Sequence, residues 1–179
     1  MEHNEKSRVY FSRLFLQNNM QGAAGFYRSL RFAEGMQDMN SYTLAELSPG
    51  MTEQFTVTVT EEMMRQFYAI TGDCSPIHMD EAYAAGRGYP GRVVYGMLGA
   101  SFFSTLAGVY LPGEHCLLHS VETKFAKPVF IGDTLTISGK VSEVNETFGE
   151  VTIKAAITNQ NGQKVTRGVI RAGVAKQAT

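Results

Sequence analysis

At 179 residues, 44% hydrophobic and 18% charged, the chain has the size and composition of one globular domain with a sizeable core, which excludes a disordered chain. A net charge of -1 gives no basis for binding nucleic acid or an anionic membrane. Two cysteines, Cys74 and Cys116, exclude a disulfide framework and a cysteine-based metal site; reduced thiols fit a cytoplasmic location.

Residues 1–38 read as an N-terminal extension of uncertain role, and 39–179 as a single domain. Glu2 and Glu5 precede Lys6, unlike the basic-then-apolar layout of a secretory signal. Arg8, Arg13, Arg28 and Arg31 lie among aromatics in the manner of a mitochondrial presequence, but the early glutamates oppose that reading. Gly22 and Gly25 weaken any helix here.

Regular patterning starts at Gln54. Phe55, Val57 and Val59 alternate with threonines, as in a half-buried strand. Thr60 is placed to cap a helix carrying Glu61 and Glu62 in its first turn, where acids suit the helix dipole. The loop Thr71–His78 follows, and Asp80 caps a short helix over Glu81–Ala85. Gly86, Gly88, Pro90 and Gly91 form a connection without a P-loop lysine.

The charge-free run Val93–Leu111 matches a membrane span by hydropathy alone. Its glycines, serines and threonine, and its lack of flanking basic clusters, favour a core helix over Gly96–Tyr110 instead. Four strands are expected next: His115–Val129, Thr134–Val144, Glu150–Thr158 and Lys164–Val174. Turns at Gly132-Asp133, Phe148-Gly149 and Asn161-Gly162 separate the last of them. One long apolar helix needs cover around its circumference, which a curved antiparallel sheet supplies in part. The open sheet edges then favour a homodimer.

Tyr68-Ala-Ile-Thr-Gly-Asp-Cys-Ser-Pro-Ile-His78 holds Asp73 and His78 five residues apart, between a relaxed Gly72 and a rigid Pro76. A carboxylate and an imidazole in one pocket can bind a water, take its proton and deliver a proton elsewhere. Cys74 as a nucleophile lacks a nearby second histidine. His115 and His119, in a strand pattern, fall on the same side and read as structural. No metal site is expected.

The Tyr68–His78 stretch resembles the motif of the MaoC-like, or type 2, enoyl-CoA hydratases. So do Val93-Val-Tyr-Gly-Met-Leu98 and Phe125-Ala-Lys-Pro-Val-Phe-Ile-Gly-Asp133, in the same order and spacing. The resemblance runs from about Leu44 to Val174 and implies an α+β hot-dog fold, a sheet around one helix, usually dimeric. It implies Asp73 and His78 as the catalytic pair and the Gly96 amide as the donor to the thioester carbonyl. Tyr68, Ser75, Tyr95 and Ser104 fall where substrate is contacted. Ser75 stands where the family usually has Asn, and Tyr95 where its single-domain bacterial members often have His.

The implied activity is (R)-specific hydration of an enoyl thioester of coenzyme A or acyl carrier protein, without metal or redox cofactor. Arg87, Arg92, Lys124 and Lys127 are candidates for the coenzyme A phosphates. A thioesterase, or an acyl-CoA-binding protein without turnover, are the alternatives on the same fold.

Overall fold

A computed structural model describes residues 39–175, so the expectations for 1–38 lie outside the described residues. Strand β1 is Thr52–Thr58, followed by helices α1 (Glu61–Thr71), α2 (Pro76–Met79) and α3 (Glu81–Gly86). Helix α4, Gly96–Thr105, runs straight into a wide turn of π-helix over Leu106–Tyr110. Strands β2 (Cys116–Phe125), β3 (Thr134–Asn145), β4 (Glu150–Thr158) and β5 (Lys164–Val174) complete the domain.

All strand pairs are antiparallel, in the order β1-β3-β4-β5-β2, so β1 and β2 form the open edges. The α4–π helix touches both edge strands as well as β3 and β5, so the sheet curls around it. This is the expected α+β hot-dog arrangement. No helix among the described residues is long and apolar enough to cross a membrane.

Alternation dictates which strand faces meet the helix. Val151, Ile153, Ala155 and Ile157 of β4 are all buried, as are Leu135, Ile137 and Val141 of β3. Facing them, α4 and its π turn bury Leu98, Phe103, Leu106, Ala107 and Tyr110. Two glycines allow the close approach. A Cβ on Gly168 would lie 2.7 Å from Phe103 Cε2, and one on Gly139 would lie 2.9 Å from Leu106 Cδ2. The strands are bare where the helix presses hardest.

The caps form as expected. Thr60 accepts the Met63 N–H at 3.2 Å and Asp80 accepts the Tyr83 N–H at 2.9 Å. Three details depart from the sequence reading. Residues 76–79 form one helical turn rather than loop, because Pro76 at the first position supplies a helical φ. The strand expected over 115–129 spans only 116–125; Ala126 and Lys127 both donate to the Val165 carbonyl, which turns the chain. A bulge between Leu118 and Ser120 breaks the alternation that would align His115 with His119. These histidines have separate partners, Ser41 Oγ at 3.1 Å and Glu150 Oε2 at 2.9 Å. Among the described residues no cluster of three or more His, Cys, Asp or Glu side chains can hold a metal.

Candidate active site

The last turn of α1 ends because Gly72 adopts φ +69°, a left-handed conformation that other residues enter only with strain. Its N–H closes on the Tyr68 carbonyl at 2.8 Å and throws the chain outward into Asp73. Asp73 then folds over its own backbone: Oδ1 accepts the Ser75 N–H at 3.0 Å. This Asx turn leads into Pro76 and the single turn of α2. Ser75, which stands where the family usually has Asn, makes no side-chain cap bond; the carboxylate of Asp73 organises the turn instead.

His78 is held from two directions. The Ile77 carbonyl accepts the Val93 N–H at 3.0 Å, which pins α2 to the strand-like segment before α4. The Val93 carbonyl, in turn, lies 2.7 Å from His78 Nδ1. A carbonyl can only accept, so Nδ1 carries the proton. In the neutral ring Nε2 is then the bare nitrogen, free to bind or remove a proton.

Tyr95, the cap residue of α4, joins these parts. It is 2% exposed. Its ring packs on His78 with centroids 4.2 Å apart and on Phe67 at 5.1 Å. Its hydroxyl donates to the Asp73 main-chain carbonyl at 2.8 Å. Burial, and secondarily the Asp73 carboxylate, raise the phenol above its ordinary value, so the hydroxyl stays protonated and donating. The next residue, Gly96, opens α4. As the first helical position its N–H has no partner within the helix, and it finds no acceptor among the described residues.

A cavity of about 370 Å³ sits at this end of α4, bordered by His78, Tyr95 and Gly96 and running inward to Leu135, Ile157 and Val165. Asp73 lies outside its lining, tied to it through Tyr95. Tyr68, 39% exposed, lies on the last turn of α1 and does not border the cavity. Ser104 stands apart. It is exposed eight residues further along α4, roughly 12 Å from Gly96 at 1.5 Å per residue, and does not border the cavity.

Of the four cations named from sequence, Lys127 alone borders the cavity. Arg92 pairs with Glu61, and Arg87 lies over the Tyr83 ring, 5.1 Å from its centroid. Lys124 is exposed and sits opposite Arg167 across β2 and β5. Sequence reasoning missed Val93, Gly99 and Phe125 as parts of the site. Val93 positions His78 through its backbone N–H and carbonyl, and the other two reach the cavity through the fold alone.

Comparison with known proteins gives one answer. A family model described as "MaoC like domain" matches residues 45–163. The (R)-specific enoyl-CoA hydratase of Aeromonas caviae is 35% identical over 102 residues, which is 57% of this chain and 76% of that protein. That of Rhodospirillum rubrum is 30% identical over 105 residues, 59% of this chain and 73% of its own. Among solved structures, the unliganded R-hydratase PhaJ1 from Pseudomonas aeruginosa matches with a TM-score of 0.73 at 28% identity, covering 79% of this chain and 90% of that one. With more than half its length matched by the family model, the chain belongs to the MaoC-like domain family.

Proposed function

We propose that the chain is a hydro-lyase that adds water to a trans-2-enoyl thioester of coenzyme A or acyl carrier protein, giving the (R)-3-hydroxyacyl thioester, and that it runs the reverse dehydration. The observation that carries this reading is a single cavity edged by both an imidazole with a bare Nε2 and an unpartnered helix N-terminal N–H. The relatives, named as enoyl-CoA hydratases, support the same chemistry.

In this mechanism the thioester oxygen accepts the Gly96 N–H. As water oxygen bonds to C3, the C2–C3 π pair moves toward C2 and that oxygen, and the donor at the positive end of α4 stabilises the charge. Asp73 and the bare Nε2 of His78 hold one water between them. Asp73 takes one proton from it, the remaining O–H becomes the C3 hydroxyl, and the proton passes through His78 Nε2 to C2, which restores both side chains. Oxygen and hydrogen therefore arrive from one face, a syn addition. Water directed instead at the thioester carbon would make the site a thioesterase, so the test follows both products. Crotonyl-CoA should lose its conjugated enoyl absorbance without release of free thiol. Thiol release with the enoyl band unchanged would replace the hydratase reading, and binding without either change would reduce the protein to an acyl-CoA binder.

Tyr95 keeps the pair in place rather than reacting. Tyr95→Phe retains the ring on His78 but frees the Asp73 carbonyl. It is expected to cost about 1 kcal/mol of stability and to lower kcat by up to roughly 10²-fold, with KM little changed. An unaltered kcat would remove the tyrosine from this role.

The working unit proposed is a homodimer. Edge strand β2 leaves Leu117 63% exposed, beside an open row of backbone donors and acceptors. A monomeric mass in sedimentation equilibrium would contradict this. A cytoplasmic location belongs to the same proposal, supported by Cys74 and Cys116 both being free thiols; fractionation of the cells checks it.

A further inference from the structure

The glycines of this fold are not alike. Gly139 and Gly168 are bare because a helix side chain already fills the space where a Cβ would go. At Gly96 the ring of Phe125 does the same, with three ring atoms 3.2–3.3 Å from that point. Gly99 differs: the single heavy atom in reach of a Cβ there is Ile157 Cδ1, at 4.0 Å. Its side-chain space is empty, and it opens onto the cavity.

Gly96 and Gly99 are three residues apart on α4 and so lie on neighbouring parts of one face. The first exposes the amide donor at the mouth. The second removes the wall one turn deeper, beneath a roof formed by Phe125, which remains 51% exposed. The buried lining of the cavity is hydrocarbon at Val94, Leu135, Ile157 and Val165, with Thr166 as its buried polar side chain. A cavity of about 370 Å³ is an order of magnitude larger than the roughly 30 Å³ of one water-sized group, so it exceeds what a four-carbon acyl group needs.

We infer that Gly99 sets acyl-chain length, and that the chain takes linear thioesters whose tails run past Gly96 into this cavity, well beyond four carbons. The inference rests on the proposed hydratase reading for the placement of the thioester at Gly96. The tail lies in the space Gly99 leaves, between Ile157 and Val165, with Phe125 closing over it. Each methylene buried there is worth about fourfold in affinity.

Calorimetric binding of butyryl-CoA and decanoyl-CoA to the whole chain and to Gly99→Leu tests this, with crotonyl-CoA hydration measured alongside. The parent should bind decanoyl-CoA at least roughly tenfold more tightly than butyryl-CoA. Gly99→Leu should abolish that preference, because leucine fills the space the longer tail would occupy. A helix-interior glycine replaced by leucine gains helix propensity, which favours folding. Should Gly99→Leu fail to fold, Gly99→Ala makes only ordinary contact with Ile157 and should narrow the preference by about fourfold, one methylene's worth.

No chain-length preference in the parent, or a preference that survives in the folded leucine variant, overturns the inference. Hydration without such a preference overturns it alone and leaves the hydratase reading standing. A preference removed by the leucine, with no hydration of any enoyl thioester, upholds the cavity's role and overturns the hydratase reading instead.

Discussion

Asp73→Asn is expected to lower the rate of crotonyl-CoA hydration by about 10²–10⁴-fold, and His78→Ala to do likewise. The asparagine is a sharp test because its amide oxygen can still accept the Ser75 N–H that shapes the turn. The loop keeps its form and loses only a base. The alanine is blunter. It strands the Val93 carbonyl, 2.7 Å from the missing ring, and leaves the Tyr95 face bare, so stability falls as well. Unfolding curves for each variant separate lost chemistry from lost structure. A folded Asp73→Asn that retains half or more of the parent rate would remove the carboxylate from the mechanism.

Phe103→Ala should destabilise the domain by about 3–5 kcal/mol. Phe103 is 0% exposed and fills the concavity left by Gly168, where no side chain from the sheet can replace it. Its loss opens a cavity that the helix can close only by moving toward β5, against the neighbouring contact of Leu106 with Gly139. Urea unfolding gives the value directly. A cost under about 1 kcal/mol would mean that the helix settles freely into the sheet, which contradicts the tight fit at both glycines.

The elements that could be read from the chain are those whose pattern is local. Val151, Ile153, Ala155 and Ile157 alternate because one face of β4 meets the helix, and period two betrays it. Thr60 and Asp80 sit ahead of acidic first turns, and both cap as their chemistry demands. The buried helix was legible because residues 93–111 carry no charge.

What escaped was made by juxtaposition. Nothing near Gly99 in sequence says that Ile157 stops short of it, and nothing near Phe125 says that its ring covers Gly96. The Val93 carbonyl that fixes the His78 tautomer is a backbone atom and leaves no mark in the amino-acid code. Ser75, at a position where the family usually has Asn, contributes its N–H to the turn, and the Asp73 carboxylate accepts it. Tyr95 was noticed as a departure from the family pattern, but its tie to Asp73 spans 22 residues and needed the fold to bring it about.

The stereochemistry of the product tests the proposed addition most directly. Crotonyl-CoA hydrated by the parent protein in deuterium oxide should yield one diastereomer, with the hydroxyl at C3 in the (R) configuration and a single deuterium at C2 on the same face. With one water held between Asp73 and His78 as proposed, oxygen and deuterium reach the same face of the alkene. An (S) product would contradict the (R) reading, and deuterium spread over both faces of C2 would contradict a single-sided addition by this pair.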